Sequence, residues 1–330
     1  MTKADSAAVI LWVGATLYAV FGGADFGAGL WDLVAGDAEK GARPRALIQR
    51  SLAPVWEANH VWLIFILVVL WTAFPDAFGA IMSTLYVPLA LAALGIVLRG
   101  AGFAFRKSVE SLQARRATGA AFAISSVLTP FFMGTVVGAV AAGNVPADGN
   151  GDAFSTWIAP LPLLVGALFV ASGAYLAAVF LIADAGDADL ERYFAGRALV
   201  AAVVAGALAV AGIFALHDEA RYLYDRLTDQ ALPLVIVSGL CGLGVLLLLL
   251  REARGRALRP LAVAAVVAVI WGWGVAQFPY LLPTSLKITQ SAAPGPTLDA
   301  VLVVFAAAVV VVLPALGLLY WLSQKDLLGE

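Results

Sequence analysis

The sequence predicts an all-α polytopic membrane protein with about nine transmembrane helices. Of its 330 residues, 62% are hydrophobic and only 13% are charged, whereas soluble domains carry about 25% charged residues. Apolar runs of the roughly 20 residues that a helix needs to cross a bilayer recur along the whole chain. The connections between these runs are short, so we expect a single integral membrane domain over residues 1–330.

Nine segments fit the length and composition of a spanning helix. They lie near 7–30, 54–74, 78–99, 118–142, 157–183, 196–216, 231–250, 258–282 and 299–322. The second is the weakest at its start, where Pro54, Glu57, Asn59 and His60 interrupt the apolar pattern, although a proline suits the first turn of a helix. A pseudo-division near 143–156 separates the first four spans from the last five.

Lysine and arginine are distributed unevenly between the two sides of this predicted membrane domain. With the N-terminus outside, sixteen of these residues lie on the cytoplasmic side, and four (Lys3, Arg221, Arg226 and Lys287) lie on the other. Cytoplasmic loops carry an excess of positive charge. The asymmetry therefore favours an odd number of spans, an external N-terminus and a cytoplasmic C-terminus.

Several classes of site are disfavoured by residue counts and spacing. The single cysteine, Cys241, excludes an intrachain disulfide and a C-x-x-C motif. The two histidines, His60 and His217, cannot form a multi-histidine metal cluster within one chain. The glycine-rich segment 143–151 is typical of an external turn rather than a phosphate loop, because no lysine-bearing helix start follows it. We expect no nucleic-acid partner, no metal site and no cleavable signal peptide.

An acidic residue, Asp25, lies inside the first apolar segment, within the glycine-rich stretch 22–29. A carboxylate at the centre of a spanning helix costs roughly 3 kcal/mol, so it usually faces a partner, a cavity or a cofactor. Gly23 and Gly27 are four residues apart and would let a second helix approach closely. Two interpretations follow: a helix-packing face on which Asp25 bonds a neighbour, or a functional residue that carries protons or lines a substrate cavity.

The second segment opens with Glu57 and His60, which are three residues apart and share a helical face. A carboxylate and an imidazole can form a proton relay. The alternative is that both lie in water at the membrane interface. A haem-ligand role for His60 is disfavoured, because no second intramembrane histidine and no suitably placed methionine is available.

The segment 271–283 combines tryptophans, Gln277 and two prolines. It is typical of an interfacial aromatic belt with a kinked helix end, and the alternative is a wall that contacts a partner or a quinone. Gln277 must find a hydrogen-bond partner inside the bundle. Arg99, at the end of the third span, is most simply an interfacial anchor that snorkels.

These motifs resemble subunit II of the cytochrome bd quinol oxidases, including the cyanide-insensitive branch. The resemblance covers most of the chain, and its most specific part is the block 51–63, which contains the string Pro-Val-Trp-Glu-Ala-Asn-His-Val-Trp. It is carried by residues 22–29, 51–63, 74–75 with Tyr86, 99–106 and 276–282.

The resemblance implies a complex that couples quinol oxidation to the reduction of dioxygen to water, in a prokaryotic cytoplasmic membrane. Its subunit I carries two b-type haems, one d-type haem and the quinol-oxidising loop. This chain is then the second subunit, with no directly bound cofactor and no complete active site of its own. It is expected to form two four-helix bundles plus a peripheral helix. A bound quinone or lipid and a small accessory subunit are further candidates.

The resemblance also implies roles for single residues. Glu57 matches an acidic residue on a proposed proton route. Asp25 matches the second acid of an Asp-Gly-x-Asp motif whose first acid is Gly22 here, and His60 takes a position that is often glutamine. The candidates for helix packing or the subunit interface are Gly23, Gly27, Trp56, Asn59, Trp62, Arg99 and Gln277.

Neither Asp25 nor Glu57 has an intramembrane lysine to pair with, so each acid should either be protonated at neutral pH or have a partner across an interface. A partner subunit is the economical solution. A rival hypothesis is a secondary transporter in which these two acids couple ion and substrate movement. Transporters often contain repeated broken helices. Here the polar residues are concentrated in the first two spans and have no counterpart in the second half, which argues against a transporter.

Overall fold

The computed structural model describes residues 1–37, 39–52, 56–106, 112–252 and 257–324, and most of this length is helical. The helices are α1 (Lys3–Leu17), a π-helical turn (Tyr18–Gly22), α2 (Gly23–Leu33), α3 (Ala42–Leu52), α4 (Trp56–Ala73), α5 (Pro75–Thr84), α6 (Tyr86–Arg106), α7 (Leu112–Ala141), α8 (Pro160–Asp184), α9 (Ala188–Glu219), α10 (Arg221–Thr228), α11 (Leu232–Leu250), α12 (Leu258–Gln277), α13 (Ile288–Ser291) and α14 (Gly295–Gln324). A two-stranded antiparallel hairpin, β1 (Tyr280–Leu282) and β2 (Leu286–Lys287), lies between α12 and α13.

Within the described residues, eight helical segments are long and apolar enough to cross a membrane, and a bent pair of helices makes a ninth. This agrees with the nine predicted spans. The bent pair is α5 and α6, whose axes meet at 86°. The arrangement in two bundles, the sidedness of the termini and the division near 143–156 remain predictions. Pro54 lies outside the described residues, as do four of the sixteen lysines and arginines predicted on the cytoplasmic side: Lys107, Arg254, Arg256 and Lys325.

The third predicted span, 78–99, is wrong as one continuous helix. The chain breaks at Leu85, between α5 and α6. Pro88 explains the break, because a proline has no backbone N–H for the carbonyl four residues earlier and its ring would clash with that carbonyl, here of Thr84. The new helix can therefore begin only near the proline, which stands at its third position.

The first span is longer than predicted and runs from Lys3 to Leu33. Thr2 caps its start by accepting a hydrogen bond from the Asp5 backbone amide, while the Asp5 side chain accepts one from the Thr2 amide. The π-helical turn separates α1 from α2 without breaking the span. Such single wide turns inside helices occur frequently at functional sites.

The eighth span was predicted to end at residue 282 but ends at Gln277. The chain then turns through Pro279 into the β1–β2 hairpin, because a proline cannot donate the next helical hydrogen bond. Gln277 is 3% exposed, and its Nε2 donates to the Leu281 carbonyl at 2.8 Å. Its expected partner is therefore the backbone that follows it. Part of the aromatic segment faces inward, since Trp273 packs against Trp12 of α1 with ring centroids 4.7 Å apart.

α2 is held in the molecule by backbone contact with α8. A methyl group built on Gly27 would lie 2.0 Å from the carbonyl oxygen of Gly173, and one built on Gly173 would lie 2.5 Å from that of Gly23. The Trp31 indole N–H donates to the Ala174 carbonyl at 2.8 Å on the same interface. This close approach fixes both the rotation and the height of α2, and with them the position of Asp25.

We expect the substitution Gly27→Ala to lower the free energy of unfolding by about 1–3 kcal/mol, because the two backbones must separate to admit the methyl group. The matched control is Gly196→Ala in α9, where an added methyl group meets no atom within 4 Å. That change should be neutral or raise stability by up to about 1 kcal/mol through helix propensity. Thermal unfolding of the two variants in detergent measures the difference, and equal stabilities would contradict this packing.

Candidate functional site

Asp25 lies in the first turn of α2 and is 3% exposed. Its Oδ2 accepts a hydrogen bond from Nδ2 of Asn59, a residue of α4 that is 2% exposed. A buried carboxylate needs such a donor, because an unsatisfied charged group inside the protein is costly. The expectation that Asp25 finds its partner across a subunit interface is therefore wrong, since Asn59 belongs to the same chain.

Arg99 of α6 is 1% exposed, and its guanidinium lies beside Asp25. Nη2 donates to the Asp25 backbone carbonyl at 2.7 Å, and Nη1 donates to the Ser126 hydroxyl of α7. The guanidinium carbon is 4.8 Å from the Phe26 ring centroid and 4.6 Å from that of Phe122. The prediction that Arg99 snorkels to the interface is wrong, because hydrogen-bond acceptors and two aromatic faces hold its charge inside the protein.

A glycine makes room for this arrangement. A methyl group on Gly29 would lie 2.1 Å from the Ser126 hydroxyl oxygen and 2.9 Å from Nη1 of Arg99. Gly29 is four residues from Asp25 on α2, so both residues lie on the same helical face. Arg99 can therefore reach the α2 backbone only because this position has no side chain.

His60 turns its ring into an aromatic pocket on the inner side of α4. The ring centroids of Tyr18, Phe26 and Trp56 lie 6.0–6.3 Å from that of the imidazole. Nδ1 is 2.9 Å from the Trp56 carbonyl oxygen. A carbonyl can only accept, so Nδ1 carries the hydrogen and, in neutral imidazole, Nε2 is a bare acceptor. Nε2 is buried and has no hydrogen-bond partner among the described residues.

Glu57 behaves differently and is exposed at the first turn of α4. It begins a stripe at helical spacing whose other members are exposed apolar side chains. These are Val61, Ile64, Val68 and Trp71, which are 45–65% exposed. Across the described part of the chain, no hydrogen bond joins Glu57 to His60. A relay between these two residues therefore needs an intervening water or a group from a partner.

The structure brings Asp25, Trp56, Asn59, His60 and Arg99 together at the junction of α2, α4 and α6. Gly23 and Gly27 lie on the opposite face of α2, against α8. Two predicted residues lie apart from this group: the Trp62 ring packs on Phe65 with centroids 6.4 Å apart, and Gln277 lies at the end of α12.

Sequence reasoning missed the roles of Phe26, Phe122, Ser126 and Tyr18. Ser126 in an apolar run was the one available signal, because a hydroxyl in a spanning helix needs an acceptor. No group of three or more histidine, cysteine, aspartate or glutamate residues is placed to hold a metal ion in the ranges that the structure describes.

Comparison with known proteins identifies the family. The family model for cytochrome bd terminal oxidase subunit II matches residues 4–323. The chain belongs to this family. It is 22% identical, over 98% of its length and 96% of the relative, to a putative cytochrome bd menaquinol oxidase subunit II of Bacillus subtilis. It is 25% identical to the cytochrome bd-I ubiquinol oxidase subunit 2 of Escherichia coli, with 83% of this chain and 80% of that protein covered.

One chain of a solved bd oxidase shares the fold. A chain in the structure of bd oxidase from Geobacillus thermodenitrificans matches with a TM-score of 0.78 and 27% identity, and 98% of each chain is covered. The family predicted from the motifs is therefore confirmed, and this protein is a membrane-spanning subunit of a bd-type quinol oxidase.

The burial of Arg99 in this bd oxidase subunit leads to a prediction. Arg99→Lys loses the planar guanidinium that reaches two acceptors and stacks on two rings, so we expect stability to fall by about 1.5–3 kcal/mol. Arg192→Lys is the control, because Arg192 is 65% exposed and pairs with Asp189 on the surface; such a pair contributes only about 0–1 kcal/mol. Unfolding temperatures of the two purified variants give the comparison. Equal effects would indicate that Arg99 is an interfacial anchor after all.

Proposed function

We propose that this chain is the haem-free second subunit of the oxidase, that it stabilises a haem-bearing subunit I, and that it contributes part of a proton route. The observation that carries the proposal is the exposed Glu57 carboxylate at the end of the apolar α4 stripe. An apolar face suits lipid or protein, whereas a carboxylate beside it needs water or a donor. A protein partner with a donor opposite Glu57 satisfies both requirements. The complex lies in a prokaryotic cytoplasmic membrane.

The reaction of the complex sets the demand for protons. Each dioxygen takes four electrons and four protons to give two waters, and two quinols supply the electrons. The haems, two of b-type and one of d-type, belong to subunit I and supply the electron-transfer and oxygen chemistry there. This chain holds ionisable groups at two depths, Glu57 at the surface and Asp25 in the interior. It can therefore pass protons without binding a cofactor.

His60 supports a route between these two depths. It lies one turn beyond Glu57, next to Asn59, which bonds Asp25. The Nε2 lone pair is an unused acceptor in a buried site, and a buried polar atom of this kind commonly binds an ordered water. A water there would link the imidazole to its polar neighbours. Family membership favours the oxidase subunit over a transporter, and so does the gathering of the buried Asp25, Asn59 and Arg99 at one corner.

The association with a haem-bearing partner has a direct test. The tagged chain, purified in mild detergent, should retain a second large subunit and show a d-type haem band in its reduced-minus-oxidised visible spectrum. A folded, colourless, single-chain preparation obtained repeatedly would contradict the proposal and favour the transporter hypothesis.

The proton-route role predicts that Glu57→Gln lowers oxygen consumption more than it lowers the amount of complex. The amide keeps the shape and hydrogen bonding of the side chain but cannot carry a proton, and general acid–base groups typically contribute at least about 100-fold to the steps they serve. A second route through subunit I would reduce the observed loss. Oxygen consumption per haem is the measurement, and Glu39→Gln, at another exposed acid, is the control. Normal turnover of the Glu57→Gln complex, with normal assembly, would contradict a role for Glu57 in the proton route.

A further inference from the structure

A second buried acid, Asp32, lies on the same face of α2 as Asp25 and was not among the predicted site residues. It is 5% exposed, although it is only one residue from the end of α2 at Leu33. Residues 25, 29 and 32 are spaced at four and three, so Asp25, Gly29 and Asp32 form one stripe. Seven residues of helix separate the two acids by about 10 Å along the axis.

The space between the two acids is occupied by polar groups. Gly29 leaves a gap that holds the Ser126 hydroxyl and Nη1 of Arg99. Arg99 is the cation of this row of polar groups (Asp25, Arg99, Ser126 and Asp32), and its Nη2 donates to the Asp25 backbone carbonyl at 2.7 Å. Its Nε has no hydrogen-bond partner among the described residues although the side chain is 1% exposed. A buried N–H of this kind indicates a place for an ordered water.

Arg45, from the amphipathic helix α3, covers the Asp32 end of this row of polar groups. Its Nε lies 3.6 Å from Oδ1 of Asp32, and its side chain is 23% exposed. The same guanidinium donates to the carbonyls of Gly36 at 2.6 Å and Asp37 at 2.9 Å, in the turn that follows α2. Polar groups therefore lie at three levels along this face of α2: Arg45 with Asp32, Ser126 with Arg99, and the interior carboxylate of Asp25.

We propose that Asp32 is the uptake carboxylate of a proton route along this face of α2, with Arg45 as its cover and Asp25 as its inner acceptor. The inference rests on the proposed function, which supplies the demand for protons. Asp32 takes a proton from solvent when the Arg45 side chain moves aside. The proton passes by water beside Arg99 to Asp25, and Asp32 returns to its anionic form. No bond other than those to the proton is made or broken, and no group is oxidised or reduced.

A structural alternative is an ion pair that merely fastens α3 to α2, and three variants of the whole complex separate the two roles. Asp32→Asn removes the titratable group, Arg45→Gln removes the cover but keeps the carboxylate, and Arg43→Gln is the matched control. Arg43 lies on the same helix, is 63% exposed and pairs with Asp187 at 2.8 Å. Haem per complex and oxygen consumption per haem are measured for each variant, beside the wild type.

The relay predicts that Asp32→Asn keeps its haem and loses turnover by about tenfold or more, and that acetate at millimolar concentration restores part of the rate. Arg45→Gln keeps the carboxylate and should therefore lose less turnover than Asp32→Asn, while the control Arg43→Gln should remain near wild type. Restoration by a small weak acid is a response that a purely structural ion pair would not give. Unchanged turnover of Asp32→Asn, or a loss that acetate does not relieve and that Arg45→Gln shares, overturns the relay. If Asp32→Asn does not assemble, Asp32→Ser decides by the same rate and the same acetate response.

The wild-type measurement separates this inference from the function on which it rests. A wild-type complex that consumes no oxygen overturns both. An active wild type whose variants at Asp32 are equally active overturns the relay alone.

Discussion

The polar part of this subunit is organised around one buried cation, the guanidinium of Arg99. A charge inside a membrane protein persists only when its donors are satisfied and counter-charges are near. Arg99 meets this requirement through the Asp25 carbonyl, the Ser126 hydroxyl and two phenylalanine rings. It thereby ties α6 and α7 to α2 at the level where α4 presents Asn59. The packing of four helices and the setting of the interior carboxylate thus depend on the same side chain.

Much of the fold follows from the sequence, because the requirement for long apolar helices is strict in a bilayer. The errors lie where local backbone chemistry overrides hydropathy. The third span is broken because Pro88 cannot continue the helix from α5, and the eighth ends early because Pro279 follows Gln277. Hydropathy averages over such residues and so reports one continuous segment. The length of the first span was underestimated. Hydropathy marks only its apolar part, whereas the capping interaction of Thr2 and Asp5 lets the helix begin earlier, among polar residues.

The candidate site was only half predictable. Asp25 and Asn59 stand out in the sequence as polar residues among apolar ones, and both belong to the site. Their hydrogen bond could not be inferred from the sequence, because they lie 34 residues apart and neither motif indicates that its residues contact the other motif. Arg99 was misread since a cation near a predicted span end normally reaches the headgroups, and only tertiary packing reveals its acceptors. Asp32 was overlooked because an acid near the end of a span is expected to be in water.

The π-helical turn at Tyr18–Gly22 has a consequence for the whole first span. One extra residue in a turn shifts the phase of everything after it by about 100°, the rotation per residue of an α-helix. α1 packs on α4 and α14, whereas α2 packs on α7 and α8. A single membrane crossing therefore presents two differently directed faces, one in each half of its depth. Any insertion or deletion between this turn and Asp25 would rotate the carboxylate out of register with Asn59, so the spacing is as much a part of the site as the side chains.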